Sequence, residues 1–204
     1  RVTERQFELR QTSGDYYLFK KLSAFKLESF LKKNVDQAEE PFVIKSLEMK
    51  VEEIMDVGAH PIRIKGRIDR IDYGQQTGVY TIMDYKTGGA KQYSQNIVKR
   101  TDFQSMQSIH EEVNSFQLPL YVYLFAKCFS IPLEKTEASL ILLRNNERED
   151  LFGGLALEEK QILFSSYMDG VATVIKDILD PAKPFAPFDA DSCKTCEFSG
   201  LCHM

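Results

Sequence analysis

Residues 62–86 read IRIKGRIDRIDYGQQTGVYTIMDYK, and the fold of the chain turns on them. Ile62, Ile64 and Ile68 alternate with Arg63, Lys65, Arg67 and Asp69, the period of two that gives a strand one core row and one solvent row. GQQTG at 74–78 has turn chemistry and VYTIMDYK at 79–86 reads as a second strand, so an antiparallel hairpin is expected. Pairing about that turn opposes residues whose numbers sum to roughly 152–153. That brings Asp69 close to Asp84, provided both side chains point to one face. Asp84 and Lys86, two apart, share a face with Tyr80 and Ile82. Two carboxylates and a lysine thus converge where an apolar face opens out.

Carboxylates at hydrogen-bonding range repel one another unless one is protonated or a cation lies between them. A hard divalent cation, Mg²⁺ or Mn²⁺, suits oxygen ligands. A lysine beside it can orient a water or stabilise charge on a phosphoryl group in transit. The bland alternative is a salt bridge of Lys86 with Asp69 or Asp84. The acid-x-Lys triplet says little by itself, because Glu48-Met49-Lys50 and Glu158-Glu159-Lys160 share it, the latter expected to be solvated at a helix start. Further on, QLPLYVYLF at 117–125 opens a helix with Pro119 in its first turns and Gln117 and Tyr121 on one face at i, i+4. Facing a carboxylate pocket, that pair could hold an attacking water or a phosphate; standing alone, it is ordinary amphipathicity.

Outward from this centre, residues 42–57 are rich in β-formers and are expected to begin the run of strands. Residues 15–34 carry Tyr17, Leu18, Leu22, Phe25, Leu27, Phe30 and Leu31 at helical spacing, which predicts an amphipathic helix packed on a core. Residues 87–113 are polar and weakly periodic and read as a long mobile loop. A helix is expected from Asn114 or Ser115 to Phe129, a buried strand at 139–144, and a helix at 155–180 with a stripe of Phe164, Met168, Val171, Val174, Ile175 and Ile178. The order helix, three strands, helix, strand, helix predicts an α/β fold, a mixed sheet flanked by helices.

The chain has 204 residues, 43% hydrophobic and 27% charged, a balance that suits one globular domain and excludes wholesale disorder. No apolar run approaches the ~18 residues of a membrane span. Position 1 is an Arg in a polar segment, without an initiator Met or an apolar signal core, as expected of a piece of something longer. A net charge of −4 argues against coating nucleic acid through bulk charge, although Arg63, Lys65, Arg67, Arg70, Lys91, Lys99 and Arg100 could meet phosphates locally. Cys128 reads as a core thiol, while Cys193, Cys196 and Cys202 form a C-x2-C-x5-C tail. Three thiolates leave a tetrahedral site one ligand short, with His203 an available fourth and zinc an available metal. Without a disulfide framework, a reduced, cytoplasmic setting is expected.

GRIDRID at 66–72, IMDYKTG at 82–88 and QLPLY at 117–121, in that order, resemble the nuclease domains of the RecB family of the PD-(D/E)xK superfamily. The resemblance covers roughly residues 42–204 and is strongest to the C-terminal nuclease of AddB-type helicase-nuclease subunits. It implies a restriction-endonuclease-like core that hydrolyses DNA phosphodiesters with Mg²⁺ or Mn²⁺ in double-strand-break repair and recombination, beside a helicase-nuclease partner subunit. Asp69 and Asp84 would be metal ligands with the Tyr85 carbonyl a third, Lys86 the catalytic lysine, and Gln117 and Tyr121 the fourth motif. Cys193, Cys196 and Cys202 would close a 4Fe-4S cluster with a fourth cysteine upstream of Arg1. The family's first-motif His has no counterpart in His60, His110 or His203, though Glu48 could approach the metal. That gap supports the alternative of a catalytically inactive, nuclease-like DNA-binding or scaffold module, which the intact set of Asp69, Asp84 and Lys86 opposes. A zinc-ribbon-like, partner-binding tail on an unrelated α/β domain is a third reading. On the leading reading residues 1–41 are a helical lead-in, 42–180 the nuclease core and 181–204 the cysteine-rich tail.

Overall fold

The computed structural model describes residues 14–36, 38, 40–87, 105–183 and 196–197. Two long strands, β1 (Phe42–Val57) and β2 (His60–Gly74), form the hairpin that precedes the short β3 (Tyr80–Lys86). Helices α2 (Met106–Glu112) and α3 (Gln117–Phe129) carry the chain back to β4 (Thr136–Leu142), which lies parallel to β3. The short β5 (Glu147–Asp150) and the long α4 (Leu157–Leu179) complete the fold after α1 (Gly14–Asp36) and these elements. The sheet order is β1-β2-β3-β4-β5, mixed as expected, with β3–β4 its parallel pair. No helix among the described residues is long and apolar enough to cross a membrane.

One face of the sheet carries nearly all of the core. Ile68, Ile71, Ile82, Ala138, Leu140 and Leu142 pack there against Leu118, Val122 and Phe125 of α3 and Leu163 and Tyr167 of α4. Completely burying one such aliphatic side chain contributes about 1.5–3 kcal/mol, so this cluster fixes α3 against the sheet and with it everything that α3 presents. The buried face of α4 is turned from the expected stripe: Leu163, Ser166, Tyr167, Gly170 and Val171 go in, and Ile178 is exposed.

Three expectations need correction, and one strand was not anticipated. Helix α1 forms, but Tyr17, Leu18, Leu22, Phe25, Leu27 and Leu31 are exposed, and only Phe30 is buried, on Met83 and Ile141 of the opposite sheet face. Apolar residues surround this helix on every side, so spacing alone could not single out a packed stripe. The expected loop at 87–113 contains α2, capped by the Ser105 hydroxyl accepting from the Ser108 amide and anchored by Ile109 with Met106 and Val113 on the core. Residues 88–104 lie outside the described part. The charged segment 147–150 is an edge strand, whose alternation of Arg148 and Asp150 with Glu149 was masked by uniform polarity. Lys160 is buried rather than solvated: it reaches Glu137 at 2.7 Å and the Thr136 carbonyl, over the Phe152 ring, whereas Glu158 is exposed.

Candidate active site

The hairpin register sets the site. Arg70 opposes Met83 and Ile71 opposes Ile82, a sum of 153, which places Asp69 across from Asp84 where the ladder ends. Simple alternation would leave Asp69 in the solvent row with Arg63, Lys65 and Arg67. Ile68 and Ile71 both enter the core, however, so the alternation slips by one residue between them. Across from this slip, between the pairs Leu47–Arg70 and Met49–Ile68, Glu48 of β1 adopts φ 55°. A non-glycine residue held there stores on the order of 1–3 kcal/mol, and such strain concentrates at functional sites. The slip releases Asp69 from the solvent row, and its Oδ2 accepts the Tyr85 amide at 2.9 Å.

Asp84 and Lys86 sit at the carboxyl end of β3, beside the parallel β4, the end at which open α/β sheets bind ligands. Lys86 Nζ lies 2.7 Å from Asp84 Oδ2 and donates to Gln117 Oε1 at 2.6 Å. Gln117 Nε2 donates to Asp84 Oδ1 at 2.8 Å and to the Tyr121 hydroxyl at 3.1 Å. One amide thus holds the carboxylate, the lysine and the tyrosine together. The salt-bridge expectation holds for Asp84, while Asp69 engages backbone instead. Pro119 falls in the first turn of α3 and Gln117 opens the helix, its amide donating to the Ser115 hydroxyl at 3.1 Å.

The Asp84 carboxylate is 3% exposed, and Oδ2 accepts no directed hydrogen bond despite its ion-pair contact. Burial pushes the carboxyl above its ordinary range, the Lys86 ammonium pulls it back, and the charge of Asp69 adds to the rise. A buried carboxylate oxygen with spare lone pairs, next to a second carboxylate, fits a hard cation: the donors are oxygens, and two carboxylates, Asp69 and Asp84, face the single ammonium of Lys86. Among the described residues no group of three His, Cys, Asp or Glu side chains converges. Glu48 is turned away to Arg67, and His60 is exposed at the start of β2. His110 lies on α2, and His203 is outside the described residues.

The neighbouring cations differ from expectation. Arg63 and Lys65 reach Glu52 of β1 at 3.4 and 2.9 Å, and Arg67 is paired with Glu48. Arg70 is buried on the reverse of the sheet, bidentate to Asp72 at 2.7 and 2.6 Å, with its Nη1 donating to the Tyr85 hydroxyl at 3.4 Å. It braces the strand behind the site and cannot contact a phosphate. Lys91, Lys99 and Arg100 lie outside the described residues, as do Cys193 and Cys202, while Cys196 is exposed. Cys128 donates to the Glu52 carbonyl at 3.5 Å, and burial raises its thiol, which opposes ligation as a thiolate. Sequence reasoning gave no role to Gly66, on which the Tyr121 ring rests. The signal available was a glycine filling one place of the row Ile62, Ile64, Gly66, Ile68.

A mixed sheet with paired acids and a lysine at the end of its central strand is the architecture of a restriction-endonuclease-like domain. The chain belongs to the PD-(D/E)XK nuclease superfamily, whose family model matches residues 2–203. No curated protein matches it significantly. Among solved structures it is similar to one described as "Crystal structure of SSO0001", with 19% identity over 99% of this chain and 77% of that one and a TM-score of 0.41. So loose a superposition adds nothing to the fold, which rests on the sheet and the family match.

Proposed function

We propose that the chain is a Mg²⁺- or Mn²⁺-dependent deoxyribonuclease domain of the RecB type, the C-terminal nuclease of a helicase-nuclease acting in double-strand-break repair. The observation that carries this is the convergence of Asp69, Asp84 and Lys86, with Asp84 and Lys86 joined through Gln117 and Asp69 held on the Tyr85 amide. Asp69 and Asp84 would hold the cation, with the Tyr85 carbonyl a third ligand. A bound divalent cation would lower the pKa of a water and offset charge on the scissile phosphate. Lys86 holds its ammonium beside that place, orienting the water and steadying negative charge as the phosphorus–oxygen bond breaks. Gln117 fixes the direction of Lys86, and Tyr121 fixes Gln117. On this reading DNA and a helicase subunit are the partners, residues 42–180 are the catalytic core and 1–41 its lead-in. The 181–204 tail holds a 4Fe-4S cluster, or zinc, through Cys193, Cys196 and Cys202. Burial raises the Cys128 thiol, which supports a fourth ligand other than this residue.

The test is incubation of linear DNA with Mg²⁺ or Mn²⁺, using this chain and the longer protein purified anaerobically. Metal-dependent cleavage, abolished by Lys86→Ala and by Asp84→Ala, is expected. Intact DNA with both preparations would refute the assignment in favour of an inactive binding module, and the optical spectrum separates iron–sulfur from zinc.

A further inference from the structure

We propose that Gly66 is a positioning residue for Lys86 and Asp84, acting through the Tyr121 ring. The proposal rests on the reading of this site as catalytic. Gly66 lies in the interior of β2, where a glycine weakens a strand and is retained when another element must come close. Its backbone is that of an ordinary strand, so room rather than dihedral freedom explains it. A Cβ at Gly66 would stand 3.0 Å from Tyr121 Cε1, 3.2 Å from Tyr121 Cδ1 and 3.0 Å from Leu124 Cδ1. Carbon atoms prefer about 3.5–4.0 Å, so a methyl group here displaces the ring or lifts α3.

Either movement reaches the chemistry by a short path. The Tyr121 hydroxyl accepts from Gln117 Nε2 at 3.1 Å, and that nitrogen also donates to Asp84 Oδ1 at 2.8 Å. The other end of the same amide accepts from Lys86 Nζ at 2.6 Å. Gln117 cannot follow Tyr121 without turning away from Asp84 or Lys86, because one rigid amide serves all three. Gly66 therefore sets the depth at which α3 seats, and the seating sets where the lysine points.

The experiment compares Gly66→Ala, Tyr121→Ala and the double variant of this chain with Mn²⁺ and linear DNA. Gly66→Ala is expected to lower kcat by up to about 10-fold with little change in KM, because the ring must give by a few tenths of an ångström and a full ångström of misplacement costs about 100-fold. In the Tyr121→Ala background the same substitution should change kcat by no more than about twofold. Equal losses in both backgrounds, or a wild-type rate for Gly66→Ala, would overturn the proposal. Exchange of the Gln117 side-chain amide protons, followed by NMR, reads the path without activity. They should be protected in the wild type and exposed in Gly66→Ala; unchanged protection overturns the proposal. If the wild type does not cleave DNA, the nuclease reading fails while the amide measurement still decides the role of Gly66. Should Gly66→Ala not fold, Tyr121→Phe removes only the hydroxyl, and retained kcat and amide protection would sink the relay.

Discussion

Replacing Asp84 by Asn removes a charge from a place where it is held against its own solvation. The carboxylate is buried at 3% exposure, and burial raises its pKa above the ordinary 3.8 more than Lys86 lowers it. The folded protein thus binds this proton more tightly than the unfolded chain. Stability falls as pH rises from that ordinary value through the folded one, and the loss is complete above it. Asn keeps the acceptor for Gln117, while Lys86, with its side chain 35% exposed, can turn to water. Relieving active-site strain of this kind typically gains 0.5–2 kcal/mol, and for a chain of this size each kcal/mol shifts Tm by about 2–4 °C. Without metal, Asp84→Asn should therefore melt about 1–8 °C above the wild type at neutral pH, an advantage that vanishes below the ordinary carboxylate value. With Mn²⁺ at a hundredfold excess over its Kd, binding stabilises the wild type by about 2.7 kcal/mol, or about 5–11 °C, and the variant not at all. The order of the two melting temperatures should invert when metal is added. Scanning calorimetry with and without Mn²⁺ checks this, and a variant less stable without metal, or equally stabilised by it, would refute the reasoning.

Arg70→Met strands the buried Asp72 carboxylate and should cost about 3–5 kcal/mol in urea titrations, whereas Arg70→Met with Asp72→Leu should recover most of the loss. If the single and double variants are equally destabilised, the pair is not the brace inferred behind the site. On α1, Phe30→Ala should cost about 3–5 kcal/mol and Phe25→Ser no more than about 0.5 kcal/mol, as their 7% and 70% exposures require. Equal effects in the same titrations would contradict the placement of this helix.

The hairpin was legible because its alternation and its turn specify one register, and Asp69 and Asp84 meet as that register demands. The route by which Asp69 gets there was not: strict alternation points it to solvent, and only the slip between Ile68 and Ile71, opposite a left-handed Glu48, turns it inward. Gln117 and Tyr121 were legible as a helical pair, but that one amide bridges Asp84 and Lys86 depends on how deeply α3 seats on Gly66. The local positive charge was misread at Arg70, since an Arg and an Asp two apart on one strand look solvent-exposed until tertiary packing closes over them. Helix α2 was missed because a few apolar residues anchor it within a polar stretch.

The central claim is that Asp69 and Asp84 form a cation site rather than a bare ion-pair cluster. Electron paramagnetic resonance of Mn²⁺ titrated into the wild type and into Asp69→Asn tests it most directly. The account predicts saturable loss of the free Mn²⁺ signal in the wild type and none in Asp69→Asn; equal binding by both, or binding by neither, would contradict it.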